Sequence, residues 1–202
     1  MAAASAEQGL DYFDPQFHLP AIKLLPGQYV VTQSASLLVT VLGSCVAACL
    51  RDPVSGVCGM NHFMLPDGQT DGSVPDLLLA RFGVQAMELL ILDMQRRGAL
   101  RSRLQAKVFG AGSVLNGMTV VNVGDQNAAF IRRYLEVERI PILASDLQGD
   151  CARKVYFFTD SGKVMIRRLP TDRMKQLAAR EQRYRDIVDE RADDSGSVDL
   201  FG

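Results

Sequence analysis

The chain predicts a single mixed α/β domain built in layers, and three observations lead there. Short apolar runs bounded by Gly, Pro, Asp and Ser recur along it in the manner of strands. Two longer segments, 75–97 and 126–137, carry apolar residues at helical spacing. The two kinds of element are interspersed without strict alternation and without an internal repeat, which favours a mixed layered domain over a regular βαβ array. At 202 residues, with 48% hydrophobic and 22% charged residues, the chain is long enough for one real core and ordinary in composition.

In chain order, residues 1–20 read as a polar, Pro-punctuated arm that includes His18. "QYVVTQ", after Pro26-Gly27, reads as a strand, and "SLLVTVLG" as a second, mostly buried one. "VAACLRD" and "VCGMNHFML" flank the turn-forming "PVSG", which predicts an antiparallel hairpin. From Pro75 to Arg97 the residues Leu78, Leu79, Phe82, Ala86, Leu89, Leu90 and Met94 form one helical stripe, stopped by Gly98. "LQAKVFGAG" is a strand ending in a Gly-rich turn, and a second helix covers Gln126 to Val137. "IPILASD" and "RKVYFFTDSGKVMIRRL" add strands, the latter a hairpin around Asp160-Ser161-Gly162. A charged helix over 171–192 presents Met174, Leu177, Ala178, Tyr184, Ile187 and Val188 as a partial apolar face, which predicts loose packing on the domain. Residues 193–202 are expected to be a disordered tail. The organisation is therefore an arm (1–20), one main domain (21–170), a C-terminal helix (171–192) and a tail.

Charge and targeting signals exclude several classes. A formal net charge of −1 provides no overall field towards nucleic acid or an anionic membrane. No apolar run approaches the roughly 20 residues of a spanning helix. The start "MAAASAEQGLDYFDPQF" lacks a secretory pattern, so the chain reads as cytosolic and its four cysteines as thiols.

One segment concentrates the chemistry. Residues 41–66, "VLGSCVAACLRDPVSGVCGMNHFMLP", hold Cys45, Cys49, Cys58 and His62, one of only two histidines. A hairpin loop of Asp52 to Ser55 puts Arg51 opposite Gly56, Cys49 opposite Cys58 and Cys45 opposite His62, all on one face. The two latter pairs are four residues apart, about 13 Å along a strand, too far for one tetrahedral zinc unless Cys45 to Cys49 forms a helical turn. Cys45 follows "LGS", where a strand end and a glycine can expose a nucleophile beside backbone N–H groups. A Cys45–His62 nucleophile–base pair, a zinc site and plain core packing all remain open on pattern alone; Cys49 and Cys58 read as small core residues.

"LGSCVAACLRD" followed by "VCGMNHFMLP" resembles CheD, the chemoreceptor glutamine deamidase family of bacterial chemotaxis. "LLPGQYVVT", "RFGVQAMELLILDMQRRGA", "AKVFGAGSVL", "NVGDQN" and "RKVYFFTDSGKV" follow in the family's order and approximate spacing. The resemblance implies a single layered α/β/β sandwich with mixed, largely antiparallel sheets. It implies a Cys–His–Thr triad, with Cys45 matching the nucleophile and His62 the base, and no metal or organic cofactor. The family's threonine often stands six residues before the cysteine, where this chain has Val39. Thr40 is the available orienter, and a regular strand would need a bulge or twist to bring it to that place. Gly43 and Ser44 belong to the expected oxyanion and positioning turn. The implied substrate is glutamine in the cytoplasmic helical region of methyl-accepting chemotaxis receptors. The implied further partner is the phosphatase CheC, so a non-catalytic docking module is the alternative. "VFGAGS", "GDQN" and "DLQGDCARK" depart from the family's usual loops, and Cys151 falls in the last of them.

Overall fold

The computed structural model describes residues 9–65, 76–113, 123–170, 179, 181–184 and 186–188, with 76–81 described by their backbone alone. The expected tail, and Met174, Leu177 and Ala178 of the C-terminal stripe, lie outside the described residues.

The first half of the chain forms β1 (Leu10–Asp14), β2 (Leu19–Lys23), β3 (Tyr29–Thr32), β4 (Leu37–Leu42), β5 (Val46–Arg51), β6 (Cys58–Asn61) and the helix α1 (Asp76–Arg96). The second half forms β7 (Gln105–Gly110), α2 (Val123–Val137), β8 (Ile142–Leu147), β9 (Arg153–Phe158) and β10 (Val164–Arg168). Two five-stranded sheets result, ordered β1-β2-β4-β9-β10 and β3-β6-β5-β7-β8. Among the described residues, only β2–β4 and β7–β8 pair in parallel. A mixed, largely antiparallel pair of sheets was the expectation, and it holds.

Strand alternation explains the layering. Val46, Ala48 and Leu50 of β5 join Met87, Leu90, Ile91 and Met94 of α1 and Ala128, Ile131 and Leu135 of α2 in one buried cluster. The intervening Ala47 and Cys49 turn the other way, with Cys58 and Met60 of β6, to meet Leu38, Leu42, Val155 and Phe157 of the first sheet. The order is thus helices, sheet, sheet. Each large side chain so buried contributes roughly 1.5–3 kcal/mol. Leu89, expected on the buried stripe of α1, is 39% exposed; the covered face runs through Met87, Leu90, Ile91 and Met94 instead.

Within the segment read as a polar arm, Leu10–Asp14 pairs with Leu19–Lys23 as an edge hairpin. Asp14 Oδ1 accepts the N–H groups of Gln16 and Phe17 at its turn, and the Phe17 ring meets Tyr156 and Phe158 edge-on. An edge strand has one paired side and much solvent, so its apolar period is weak.

The β5–β6 register is shifted by two residues from the expected one, with Arg51 opposite Cys58 and Cys49 opposite Met60. A two-residue shift keeps every side chain on its face. One step past the two strands the same register continues, where Asp52 donates its N–H to Val57 O at 2.9 Å. Its carboxylate is fully buried. It accepts the N–H groups of Val54, Ser55 and Leu100 and Arg103 Nη2 at 2.7 Å. Burial pushes this carboxyl up, but Arg103 and the three backbone N–H groups outweigh it and hold it well below the usual carboxylate range.

A depressed native pKa stabilises the fold above the unfolded value, near pH 4, and that contribution disappears as pH falls further. Asp52→Ala should cost about 3 kcal/mol at pH 7, because it leaves the N–H groups of Val54, Ser55 and Leu100 without their acceptor, at about 1–3 kcal/mol for each one that stays buried. Urea unfolding should show the gap between wild type and variant closing as pH is lowered below about 4.

Candidate active site

β4 and β5 belong to different sheets, so Gly43, Ser44 and Cys45 form the crossing between them. Each carbonyl of that crossing has a partner. Gly43 O accepts Gly112 N–H at 2.7 Å, Cys45 O accepts Ala111 N–H at 2.7 Å, and Ser44 O accepts Asn127 Nδ2 at 2.9 Å. In a trans peptide the N–H points opposite to the C=O. Anchoring Gly43 O towards β7's end therefore directs Ser44 N–H the other way. Gly110 makes this approach possible: it pairs with Val46 at φ +111°, and a Cβ there would sit inside van der Waals contact of Cys45 O. Ala111 follows at φ +56°, a conformation that glycine tolerates better.

His62 closes the other side. Its backbone N–H donates to Gln28 O at 2.9 Å and its carbonyl accepts Gly27 N–H at 2.8 Å, which fastens the end of β6 to the turn before β3. Thr40 Oγ1 lies 2.7 Å from His62 Nδ1 and donates to Leu24 O at 3.0 Å. A hydroxyl has one proton. With that proton on Leu24, Thr40 accepts from His62, so Nδ1 carries the hydrogen and Nε2 the lone pair. Thr40 reaches this position without a bulge. The β2–β4 and β4–β9 pairings run regularly through residue 39, Val39 packs on the outer cluster with Ala21, Leu37 and Tyr156, and Thr40 takes the opposite, inner face.

Cys45 Sγ, a ring nitrogen of His62 and a carboxylate oxygen of Glu181 all lie within 4.8 Å of one another. All three residues are buried, at 0%, 1% and 1% exposure. Among the described residues this is the grouping compact enough for a metal, and Cys49 and Cys58 are not in it. The cysteine-rich zinc set considered from spacing therefore does not assemble. Burial pushes the Cys49 thiol far up and the Cys58 thiol up to about 11; both are core thiols, and Cys58 Sγ donates to Thr159 O. Cys151 is partly exposed, its carbonyl held by Arg153.

Residues 64–168 match the family model described as CheD chemotactic sensory transduction. The chain is 57% identical over 194 residues to a Chromobacterium violaceum protein named "Probable chemoreceptor glutamine deamidase CheD 2", covering 94% of each. It is 50% identical to a Janthinobacterium protein named "Probable chemoreceptor glutamine deamidase CheD", over 94% of this chain and 93% of that one. A Stenotrophomonas maltophilia protein of the same name is 48% identical over 99% and 98%. The chain belongs to the CheD family. The matched family segment begins after Cys45 and His62, whereas the relatives span both.

Three polar residues around the candidate site have no role assigned from the sequence. Asn127 is fully buried; besides holding Ser44 O, its Oδ1 accepts Leu65 N–H at 2.8 Å, joining the cysteine turn to the chain beyond His62. Asn61 Oδ1 accepts Ala48 N–H at 2.9 Å across β5 and β6. Glu181 receives Gly43 N–H at 2.6 Å on Oε1, and Ser44 N–H at 2.8 Å and Ser44 Oγ–H at 2.9 Å on Oε2. Its signal was present: helical spacing from Tyr184 and Val188 puts Glu181 on the apolar stripe, an unusual place for a carboxylate.

Nitrogen NMR of the imidazole should report the Nδ1–H tautomer for His62 at neutral pH. Thr40→Val should abolish that preference while Thr40→Ser preserves it; an Nε2–H tautomer in the wild type would contradict the assignment.

Proposed function

We propose that the protein is a cysteine-dependent deamidase that converts glutamine side chains of chemoreceptors to glutamate and releases ammonia. The observation that supports this reading best is the contiguity of Cys45, His62 and Thr40 beside the N–H groups of Gly43 and Ser44. The names of the relatives supply the substrate.

His62 Nε2 takes the Cys45 proton, and the thiolate adds to the glutamine δ-carbon. Negative charge gathers on the former amide oxygen, placed where Glu181 Oε2 accepts the Ser44 N–H and Oγ–H; a backbone donor there is worth about 3 kcal/mol. The imidazolium returns its proton to the departing nitrogen, so ammonia leaves and a thioester remains. Water, deprotonated by His62, then attacks the thioester carbon and liberates glutamate and the thiol. Thr40 acts as a positioning residue: by accepting Nδ1–H it keeps Nε2 available and its partner proton fixed. The product gains a negative charge on a receptor helix, and the chemistry draws on no group beyond these side chains and water.

Mass spectrometry of a receptor cytoplasmic fragment incubated with the protein should show a gain of about 1 Da per converted glutamine, as amide nitrogen is exchanged for oxygen. Cys45→Ser and His62→Ala should remove this gain. Thr40→Val should slow it by about 10- to 100-fold, with Thr40→Ser close to wild type, because the lost group orients but carries no charge. Full activity in Cys45→Ser would leave only the docking role.

A further inference from the structure

The proposed reaction has an access problem. Cys45 and His62 are 0% and 1% exposed, so a glutamine on another protein cannot reach them in this state. The amides best placed for its oxygen are already engaged, by the carboxylate of Glu181. That carboxylate oxygen lies within 4.8 Å of the cysteine sulfur and of the imidazole. Glutamate is the deamidation product of glutamine, and here a glutamate side chain accepts both amides beside Cys45 and His62.

The way Glu181 is presented extends the analogy. Residues 181–184 and 186–188 are helical. Glu181 and Val188 are buried and Tyr184 is half-buried, packed on the inter-sheet cluster, while Gln182, Arg183, Asp186 and Ile187 face solvent. That is one helix face at i, i+3 and i+7. Gly27 is shaped for it: its φ is +82°, and a Cβ there would come within 2.8 Å of the Tyr184 hydroxyl.

We infer that Glu181 is an intramolecular product analogue. The amides of Gly43 and Ser44 form the subsite for the side chain of a helix-borne glutamine, and the C-terminal helix occupies that subsite in cis and holds the enzyme inactive until it is displaced. The inference rests on the deamidase reading of the site and adds to it the surroundings of the substrate glutamine on its helix: an apolar or aromatic side chain three residues later and another apolar one seven residues later. Displacement by a receptor helix is competition between like surfaces, so the rate scales with the fraction of molecules whose subsite is open.

Two variants of the full-length protein test this. Glu181→Gln places a carboxamide where the carboxylate stands. Cys45 should then attack its δ-carbon, ammonia should leave with the His62 proton, and water should restore glutamate. The purified variant should therefore weigh about 1 Da more than encoded, with glutamate at 181 by fragment sequencing, and Cys45→Ser combined with Glu181→Gln should retain glutamine. Glu181→Ala, shown folded by its thermal melt, should deamidate the receptor fragment about 10-fold faster than wild type if a tenth of wild-type molecules are open. Glutamine persisting at 181 in the single variant, or a Glu181→Ala rate at or below wild type, overturns the inference. Receptor deamidation by the wild type would leave the deamidase reading standing in either case. Should neither wild type nor Glu181→Ala modify the receptor, and Glu181→Gln keep its glutamine, the deamidase reading falls and the inference with it.

Discussion

The site depends on one constraint: the chain must cross from one sheet to the other at Gly43–Cys45 while all three carbonyls of the crossing stay bonded. Gly112 and Ala111, at the end of β7, take two of them, and Asn127 from α2 takes the third. Buried backbone groups are rarely left without partners, so these bonds are a condition of closing the interface between the layers. Peptide planarity then turns Ser44 N–H towards the space between the sheets. Binding amides at this point are a by-product of satisfying the fold. The same logic explains why Asn127 is fully buried: a hydrophobic residue of similar size would leave both Ser44 O and Leu65 N–H without a partner, at about 1–3 kcal/mol each.

Much of this was legible in the sequence, and the failures have physical reasons. The strands and helices followed from period and punctuation, and Cys45 and His62 do share one hairpin face, although Ala47 rather than Cys45 stands opposite His62. The register itself was misjudged by two residues, because an Asp beside Pro53 ordinarily signals a loop. Here the carboxylate is buried against Arg103 and three N–H groups, a tertiary arrangement that local turn preference does not encode. Since the error was even, the face survived it. Thr40 was thought to need a bulge because Val39 occupies the more usual threonine place. The observed strand is regular through both, and alternation alone puts Thr40 inside and Val39 outside.

Residues that serve the site from afar were the least visible. Glu181 lies 136 positions beyond Cys45 by their numbering, and no local pattern links it to a "GSC" turn. The charged helix around it reads as solvated because its exposed face, Gln182, Arg183 and Asp186, dominates the composition. A stripe interrupted by one carboxylate looks like a weak stripe; its meaning appears only when the amides that receive that carboxylate are known.

Energetics explain why such a contact can hold without being permanent. Removing a carboxylate from water costs several kcal/mol even in relaxed protein surroundings. Two backbone N–H groups and one hydroxyl return much of that, since hydrogen bonds to a charged acceptor contribute about 1.5–3 kcal/mol each. The two amounts are similar, so the carboxylate alone neither locks the helix down nor expels it. Among the described residues of this segment, Tyr184, packed on the inter-sheet cluster, and the buried Val188 add apolar contact. A neutral carboxamide entering the same subsite escapes most of the desolvation cost. In the proposed reaction it becomes charged only as the thiolate adds, when the amide oxygen turns into an oxyanion and the Ser44 N–H interacts with it most strongly. On that reading the subsite takes a neutral substrate readily and a charged product only at a cost, a bias that favours turnover and that would let the inferred tethered glutamate yield to a glutamine.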